Sequence, residues 1–383
     1  MKIVFITIGG EGGADLSLLP ILHALKERHD LLIINTIHNN FSSVLNLNGF
    51  KNQYISIPPY VYPQFNGLRN LIRFPDRLFR NLLKIIKGER DLKKVIHNYN
   101  PDIIYTNTGI IHSGFNIAKE IKKPHIWHIR EFQDLDFNMK ILGGKKNLIS
   151  KFHSTNNFNI AITQTIYTHF SLNDKNSIII YDGVRARTDL SLTTKQKYFL
   201  YIGNITQNKG FSFLLKAFNL FNKTNKDFKL IVLGKFNDSS YENKIKEYIT
   251  TNSLDEFISF KGFVTNIEPY VKEAKAVIIP SFFEALGRTT IESMFYGTLV
   301  IGRNTAGTKE QFDNGVKYSG DEIGLRFLTI DDLVKCMQNA IKNDYNDYIK
   351  RANATVNVLY SFETFQNKIN EIIEKHEGAS NIS

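Results

Sequence analysis

The sequence predicts an α/β protein with two doubly wound domains, each a parallel sheet covered by helices on both faces. Three observations support this prediction. The chain has 383 residues, whereas single domains usually contain roughly 100–200. Buried strands alternate with amphipathic helical segments in each half of the chain. A polar stretch without periodicity, residues 188–197, separates the halves. We therefore expect an N-terminal domain over 1–187, a linker over 188–197 and a C-terminal domain over 198–360.

The first half begins with an apolar strand, a glycine-rich turn and a helix. The strand covers residues 2–8, and the turn and helix cover 9–30. A second strand at 31–35 completes a βαβ unit that starts an open parallel sheet. Further apolar runs predict strands at 101–107, 124–131, 158–165 and 177–184, with a helix at 110–121.

The second half repeats this alternation. Apolar runs rich in β-branched and aromatic residues predict strands at 197–205, 228–234, 256–264, 275–281 and 298–304. Amphipathic periodicity predicts helices at 210–224, 239–252, 266–274, 287–297, 329–343 and 361–376. Thr329 and Asp332 resemble a capping box, and the last helix is expected to pack back on the N-terminal domain. Ligands of such sheets bind outside the carboxyl ends of the strands, so we expect the functional residues there.

Composition and targeting signals indicate an intracellular globular protein. Hydrophobic residues make up 42% of the chain and charged residues 22%, which is ordinary for a globular protein. The single cysteine, Cys336, excludes a disulfide framework and favours a reducing compartment; we expect it to be a small buried residue on a helix. The N-terminus lacks signal-peptide features, and no apolar run reaches the ~20 residues that span a bilayer. We expect a cytoplasmic protein, soluble or on the inner face of the membrane.

The formal net charge is +11, which would suit nucleic acid, anionic lipid or phosphorylated small molecules as partners. The densest basic cluster lies in segment 68–94, where leucine, isoleucine and phenylalanine residues are interleaved with it. A basic amphipathic helix of this type can bind an anionic membrane surface, and Pro75 is expected to start or break it. The alternative is an ordinary solvated helix face. We expect no nucleic acid partner, because no helix-turn-helix, zinc or base-stacking signature accompanies the charge.

The sharpest chemical signal lies in residues 280–310. A loop after a strand holds Glu284, and a helix that begins near Gly287 carries Glu292. The free N–H groups and partial positive charge at the helix start can hold a diphosphate. The two carboxylates can accept hydrogen bonds from sugar hydroxyls at the two ends of a nucleotide-sugar. The alternative is that both acids only complement the helix dipole. The helix start also offers two hydroxyl donors, Thr289 and Thr290.

This segment resembles the E-x7-E motif of glycosyltransferase family 4, including the Pro-Ser before it and the Gly-x-x-Val-Ile after it. The resemblance covers most of the C-terminal half and, more weakly, the N-terminal half. It implies the GT-B fold, in which two Rossmann-like domains face an interdomain cleft, and a retaining reaction without a metal. It also implies that Glu292 binds the nucleotide ribose and Glu284 contacts the transferred sugar. The backbone at Ala285, Leu286 and Gly287 would complete the sugar pocket.

A second match to the family is YIGNITQNKG, in which Gly203 and the Lys209–Gly210 pair agree with its pattern. Lys209 is a point cation placed to neutralise a leaving diphosphate; the alternative is a solvated lysine in a turn. Asn204 stands where the family has an arginine, so one of the two usual phosphate cations is missing. Arg288 and Arg303 are candidates to replace it, because both flank the same strand ends.

The N-terminal GGEGGAD turn is a weaker signal. Glycine lets the backbone approach a phosphate closely, and the helix after the turn offers its N-terminus. The resemblance implies that this loop closes over the donor phosphates or the acceptor, with Gly10, Gly12 and Gly13 as candidates. The alternative is a plain strand-to-helix turn, since the spacing is not a clean dinucleotide fingerprint.

His128 resembles the family's histidine at the end of a strand in the first domain, which hydrogen-bonds the transferred sugar. A neutral imidazole suits that role, although a lone histidine is more often structural. Arg130 and Glu131 lie beside it and are candidates for contacts with acceptor or phosphate.

Three further segments match the family. The first is FKGFV, where Gly262 and Val264 would meet the nucleobase. The others are residues 182–184, at the hinge, and residues 304–310, a loop that would place its backbone and Glu310 near the donor.

A metal site is not expected. Asp134 and Asp136 fit a D-x-D pattern, but that motif has no role in a GT-B enzyme. No zinc spacing and no P-loop is present in the sequence. We therefore expect no cofactor, with the nucleotide-sugar as a substrate.

The sequence thus predicts a retaining, hexosyltransferase-type glycosyltransferase that binds its nucleotide-sugar donor in the C-terminal domain. The acceptor, bound by the N-terminal domain, would be a glycan or lipid-linked glycan of bacterial surface polysaccharide biosynthesis. The main alternative is a catalytically inactive GT-B partner subunit, for which Asn204 is the argument. A nucleotide-linked dehydrogenase would need a dinucleotide fingerprint that the N-terminal turn does not supply. A sugar-nucleotide epimerase would convert the donor alone.

Overall fold

The computed structural model describes residues 1–10, 13–63, 68–135 and 139–380, without the side chains of 14, 63–73 and 378–380. It divides into two compact units. Unit 1 comprises Met1–Gly183 and Glu363–Ser383, and unit 2 comprises Val184–Phe362. Segment 188–197, expected as a linker, belongs to unit 2. There the Thr193 hydroxyl and the Lys195 ammonium both donate to the carbonyl of Lys272.

Unit 1 contains a parallel sheet and a small antiparallel ribbon. Its strands are β1 (Lys2–Thr7), β2 (Asp30–Asn35), β3 (Lys51–Tyr54), β4 (Val61–Pro63), β5 (Ile103–Thr106), β6 (His125–Ile129), β7 (Met139–Ile141), β8 (Asn157–Ala161) and β9 (Ser177–Ile179). The parallel sheet has the order β3-β2-β1-β5-β6-β8-β9, and β4 pairs with β7. Strand order reverses beside β1, which places a switch point at the carboxyl ends of β1 and β5.

Helices cover both faces of this sheet. They are α1 (Gly13–Leu25), α2 (Phe41–Leu47), α3 (Leu68–Tyr99), α4 (Ser113–Glu120), α5 (Lys145–Phe152) and α6 (Gln164–His169). One core packs against α1 and contains Ile3, Phe5 and Ile33; the other packs against α3 and contains Val4, Ile6 and Leu92. The alternation of Ile3 and Phe5 with Val4 and Ile6 follows from the two-residue period of a strand buried on both faces.

Unit 2 is a second doubly wound layer structure. Its strands are β10 (Tyr198–Ile202), β11 (Lys229–Leu233), β12 (Ile258–Gly262), β13 (Ala276–Ile279), β14 (Val300–Arg303) and β15 (Leu325–Phe327). They form a parallel sheet in the order β12-β11-β10-β13-β14-β15. Its helices are α7 (Phe211–Asn222), α8 (Ser239–Thr251), α9 (Glu268–Glu273), α10 (Arg288–Phe295), α11 (Ala306–Ser319), α12 (Ile330–Lys342) and α13 (Asn346–Leu359).

The last helix, α14 (Phe362–Ser380), returns to unit 1. Four of its side chains are buried in the same core as Ile3 and Phe5. Unit 1 is therefore built from both ends of the chain. The four side chains are Phe365, Ile369, Ile372 and Ile373.

Several expectations about local structure are confirmed, and others are wrong. Thr329 and Asp332 form the expected capping box at α12, and Cys336 is buried on that helix. Pro75 neither starts nor breaks a helix, because α3 begins at Leu68 and continues through it. Residues 306–310, expected as a loop, form the first turns of α11. Within the described residues, no helix is both long and apolar enough to cross a bilayer.

Candidate functional site

The site in unit 2 is built on the carboxyl ends of β10 and β13. Lys209 lies in the loop between β10 and α7, and Gly210 caps α7 with φ 70°. A Cβ atom at Gly210 would lie 2.1 Å from the carbonyl oxygen of Pro280, which follows β13. Only glycine therefore allows the two loops to approach this closely. The approach is reinforced by the N–H of Phe282, which donates to the carbonyl of Asn208 at 3.1 Å.

This approach brings Lys209 and Glu284 together. The Lys209 ammonium lies 2.7 Å from Oε1 of Glu284, with side-chain exposures of 38% and 18%. Both groups are thus accessible to a ligand, and the carboxylate is the more enclosed of the two. The sequence predicted a functional role for each residue but not their contact.

The loop from Glu284 to Gly287 is held by the start of α11. The N–H of Gly307 donates to the carbonyl of Glu284 at 2.9 Å. The side-chain amide of Gln311 donates to the carbonyls of Leu286 and Gly287. A Cβ atom at Gly307 would lie within 2.7–2.9 Å of the carbonyl oxygens of residues 284–286. Gly307 lies in the 304–310 segment that the sequence singled out, whereas Gln311 was missed, because its role depends on a contact between distant segments.

Glu292 projects from α10, which begins after Gly287. Arg288, the first helical residue, places its guanidinium 3.6 Å from Oε1 of Glu292. Burial raises the pKa of the Glu292 carboxyl, and the charges of Arg288 and Arg185 partly oppose that rise. Arg185 stacks on the ring of Tyr296, 4.2 Å from its centroid. The helix start therefore combines the positive end of the helix dipole, two guanidinium groups and a carboxylate.

Hydroxyl groups also lie at the start of α10. Thr289 is half-buried there. The Thr290 hydroxyl is buried and has no hydrogen-bond partner among the described residues. A buried hydroxyl without a partner is costly.

The remaining predicted donor residues lie at the edge formed by β10, β11 and β12. The N–H of Gly203 donates to the carbonyl of Leu233, and the carbonyl of Gly262 accepts from the N–H of Gly234 at 2.8 Å. Val264 follows Gly262 and is half-buried. Asn204 is exposed, and its carbonyl accepts a hydrogen bond from the Tyr201 hydroxyl at 2.9 Å.

Arg303 does not replace the missing arginine. Its guanidinium is buried beneath the loop, where it donates to the carbonyls of Pro280 and Leu328 at 3.0 and 3.2 Å. Burial lowers its pKa from the ordinary value. Arg288 remains beside the start of α10 and is the better placed of the two candidates.

In unit 1, His128 is fully buried on β6. Its Nδ1 lies 2.7 Å from the Tyr105 hydroxyl and 3.2 Å from Nη2 of Arg130. Burial, reinforced by the Arg130 charge, lowers the pKa of His128 well below its ordinary value, so the imidazole is neutral. The rings of Tyr105 and Phe365 pack against the imidazole, and the predicted sugar contact of His128 stays a prediction.

Arg130 lies in a buried polar network at the carboxyl ends of the unit 1 strands. Its guanidinium pairs with Asp182, and its Nε donates to the Asn107 side chain at 2.9 Å. The side-chain amide of Asn107 lies 3.4 Å from the Thr7 hydroxyl. Beside the network, the Glu131 carboxylate accepts from the Thr108 hydroxyl and from the N–H of Gly109.

The glycine-rich turn is held by a carboxylate that sequence reasoning missed. Asp15, in the first turn of α1, accepts hydrogen bonds from the Thr7 hydroxyl and the N–H of Gly9. Burial raises the pKa of Asp15. Gly10 lies before α1 and Gly13 begins it, whereas Gly12 lies outside the described residues. An acid in a first helical turn was the available signal for Asp15.

No group of three or more metal-ligating side chains occurs in the part of the chain that the structure describes. Asp134 contacts His169 at 2.8 Å and Lys145 at 3.4 Å. Asp136 lies outside the described residues.

Residues 185–355 match the family model described as glycosyl transferases group 1. Among curated relatives, an uncharacterized glycosyltransferase of Methanocaldococcus jannaschii is 25% identical over 72% of this chain and 74% of its own length. A glycogen synthase of Fusobacterium nucleatum is 23% identical over 88% of this chain and 65% of its own length. A lipopolysaccharide core biosynthesis mannosyltransferase of Rhizobium meliloti is 25% identical over 47% of this chain and 50% of its own length.

A solved structure with a similar fold is Anabaena Alr3699/HepE in complex with UDP and glucose. It has a TM-score of 0.77 at 18% identity and covers 98% of this chain and 100% of that one. The predicted GT-B fold class is thereby confirmed. The sequence relatives and the family match also confirm the predicted enzyme class, a transferase of glycosyl groups.

Proposed function

We propose that this protein is a retaining glycosyltransferase of family 4 that transfers a sugar from a nucleotide-sugar to a glycan or lipid-linked glycan. The observation that carries the proposal is the contact of Lys209 with Glu284 beside the helix that bears Glu292. The match of residues 185–355 to group 1 glycosyltransferases supports it. The mannosyltransferase relative favours a role in bacterial surface polysaccharide biosynthesis, on the cytoplasmic side of the membrane.

The donor is assigned to unit 2. The first N–H groups of α10 and the Lys209 ammonium would bind its diphosphate. The carboxylate of Glu292 would accept hydrogen bonds from the ribose hydroxyls and Glu284 from the transferred sugar. The UDP complex of a protein with the same fold supports a nucleoside diphosphate. Further donor contacts are assigned to Gly203, Asn204, Gly262, Val264, Ala285, Leu286, Gly287, Arg288 and Thr289.

The reaction needs few chemical groups from the protein. In a retaining transfer without a protein nucleophile, the bond from the anomeric carbon to the phosphate oxygen breaks and the acceptor oxygen attacks from the same face. The leaving phosphate takes the proton of the acceptor hydroxyl. Lys209 and the start of α10 then stabilise the negative charge of the diphosphate as it develops. We propose that no metal takes part.

The acceptor is assigned to unit 1. Gly10, Gly12 and Gly13 are the proposed contacts, and Arg130, which is almost fully buried, is assigned an indirect role. His128 is assigned an indirect role, because its ring is buried and its Nδ1 contacts Tyr105 and Arg130. A neutral imidazole can accept a hydrogen bond there without adding charge to the buried Arg130–Asp182 pair.

The first experiment is a thermal-shift screen of the wild-type protein with UDP, GDP, ADP and CMP, with and without EDTA. We expect one nucleotide to raise Tm, the shift to survive EDTA, and Glu292→Ala to abolish it. Loss of the shift in EDTA would contradict a metal-independent site. No shift with any nucleotide would contradict the donor assignment.

A second candidate function is a partner subunit that binds nucleotide without transfer, and exposed Asn204 in place of a phosphate cation favours it. Single-turnover assays with the sugar forms of the nucleotide that shifts Tm distinguish the two. Release of nucleotide that depends on Lys209 supports the transferase. Binding without release, whatever glycan acceptor is supplied, supports the partner subunit.

We also propose that α3 binds an anionic membrane surface. Phe79, Leu82, Leu83 and Ile86 are exposed on it, and their spacing puts them on one face of the helix. The buried face of α3 is separate and contains Ile85, Leu92 and Ile96. Exposed cations lie on the same helix: Lys84, Lys87 and Arg90.

This arrangement fits a helix that lies in the plane of the lipid headgroups. Lys84, Lys87 and Arg90 form no ion pair with any other residue of the described part of the chain, so their charge is available to anionic lipid. The structure does not describe the side chains of Arg69 and Arg73, which belong to the same predicted segment.

Flotation with vesicles of phosphatidylglycerol and phosphatidylcholine tests the membrane proposal. We expect Leu83→Glu to lose binding, because it puts a charge in the apolar face. Leu47→Glu is the matched control, since Leu47 is an equally large but more exposed leucine of unit 1, at 88%. Equal binding by the two variants, or no binding by wild type at low salt, would contradict the proposal.

A further inference from the structure

Arg303, the last residue of β14, carries a positive charge into the interior of unit 2. The residue is 5% exposed. Its Nε donates to the carbonyl of Pro280 at 3.0 Å and its Nη1 to the carbonyl of Leu328 at 3.2 Å. Its Nη2 is buried without a hydrogen-bond partner among the described residues. A buried charge with incomplete hydrogen bonding is costly, so other contacts must offset that cost.

Aromatic rings supply those contacts. The centre of the guanidinium lies 4.0 Å from the ring centroid of Phe213, 4.3 Å from that of Phe282 and 5.4 Å from that of Phe327. A guanidinium is flat and weakly hydrated, so it can stack on rings while donating in its own plane. A tetrahedral ammonium has no flat face that could stack on these rings while its N–H groups donate to both carbonyls. The site therefore requires arginine rather than a positive charge alone.

Two of these partners belong to the loop that carries Glu284. Pro280 begins the loop, and Phe282 lies two positions before Glu284. The backbone of Phe282 is fixed on both sides, since its N–H donates to the carbonyl of Asn208 and its carbonyl accepts from the Thr305 hydroxyl. Asn208 directly precedes Lys209. A shift of Phe282 would thus move both members of the Lys209–Glu284 pair.

We infer that Arg303 is a positioning residue, which sets the distance between Lys209 and Glu284 through Pro280 and Phe282 without touching the substrate. The predicted effect of Arg303 on turnover rests on the proposed function. The effect of Arg303 on the Lys209–Glu284 pair can be measured without turnover. Misplacement of reacting groups by about 1 Å can cost about a hundredfold in rate, so a buried residue remote from the chemistry can control it.

The test compares Arg303→Lys and Arg303→Met with Arg326→Met. Arg326 is a matched control, because it also lies on a strand of unit 2, stacks on a ring (Phe312) and pairs with Asp313. We expect both Arg303 variants to lose at least about tenfold in kcat, with less than about a threefold change in the Kd for the free nucleotide. Arg326→Met should lower Tm but leave kcat within about twofold of wild type.

Two outcomes would overturn the inference: a folded Arg303→Met with kcat near wild type, or rescue by Arg303→Lys. If the Arg303 variants do not fold, Phe282→Leu is the second variant. Phe282 is 40% exposed, so the truncation is tolerable, and loss of the stacked ring should lower kcat about tenfold. Unchanged kcat in Phe282→Leu would also overturn it.

A binding-independent measurement separates this inference from the proposed function. Urea unfolding of Lys209→Met, Glu284→Gln and the double variant gives the coupling between the two side chains. We expect a coupling in the presence of Arg303 and its loss in the Arg303→Met background. Coupling that persists there refutes the positioning role. Loss of coupling in a protein that never transfers sugar would support the role and refute the proposed transferase.

Discussion

The Lys209 ammonium lies 2.7 Å from the Glu284 carboxylate, although 75 positions separate the two residues in the chain. The contact joins the loop after β10 to the loop after β13, which are adjacent strands of the unit 2 sheet. In the proposed donor complex, the diphosphate competes with Glu284 for the same ammonium. The carboxylate would then be released to the hydroxyls of the transferred sugar, so donor binding and exposure of Glu284 are coupled.

Removal of the Lys209 charge is expected to slow transfer about a hundredfold or more. The physical reason is the loss of one preorganised cation at the leaving phosphate, which is worth about 3 kcal/mol. Single-turnover rates of Lys209→Ala and wild type measure the effect. The control is Lys244→Ala, an exposed lysine on α8. Near-normal turnover in Lys209→Ala would reject this role.

A second cation at position 204 is expected to tighten donor binding. Asn204 is exposed at the strand end where the family pattern has arginine. Asn204→Arg adds a charge-assisted hydrogen bond to phosphate, worth about 1.5 kcal/mol or roughly tenfold in Kd. Calorimetric titration with the nucleotide measures it, and the gain should shrink as salt rises. Asn204→Gln is the neutral control. An equal affinity for both variants would show that no phosphate lies near residue 204.

Because of Glu292, the free energy of unfolding is expected to fall as pH rises above 4.5. Burial raises the pKa of this carboxyl above 4.5 in the folded state. The folded state therefore holds the proton more tightly than the unfolded state, and ionisation opposes folding. As pH rises through the window from 4.5 to the raised pKa, wild type should lose stability relative to Glu292→Gln. Urea midpoints across this range measure the difference. The control is Glu247→Gln, the same exchange at an exposed site on α8.

Loss of one member of the buried Arg130–Asp182 pair is expected to destabilise unit 1 strongly. Both side chains are almost fully buried, and an uncompensated buried charge costs about 3–5 kcal/mol. Asp182→Ala should show this loss in urea unfolding, and the double variant Arg130→Met/Asp182→Leu should recover part of it. The control is Glu374→Ala, which breaks the exposed Arg28–Glu374 pair and should cost no more than about 1 kcal/mol. Equal effects at the two pairs would contradict the buried-charge argument.

The features that the sequence predicted are those with a local signature. The central strands are apolar, and the Thr329–Asp332 capping box needs only four neighbouring residues. In contrast, β3 has mostly exposed polar side chains, so it lacks the periodicity that marks a strand. The start of α11 was assigned to a loop through the family resemblance, and its role depends on the distant loop at Glu284.

The candidate site follows the same rule. Charge and helix position made Glu284 and Glu292 visible in the sequence, and the resemblance to the family pattern singled out Lys209. The burial of His128 was not predictable, because Tyr105 and Phe365 that cover it come from other parts of the chain. The burial of Arg303 is likewise due to Phe213, Phe282 and Phe327, which three different elements contribute.

The return of α14 to unit 1 has a consequence for biosynthesis on the ribosome. Unit 2 is continuous in the chain and can fold once its own residues have emerged. The first part of unit 1 emerges first, yet its core is completed only after the whole of unit 2 has emerged, when Phe365, Ile369, Ile372 and Ile373 follow. Nascent domains usually fold in order from the N-terminus. Here the second domain should reach its native state first, and the first should wait with an exposed apolar face that chaperones can bind.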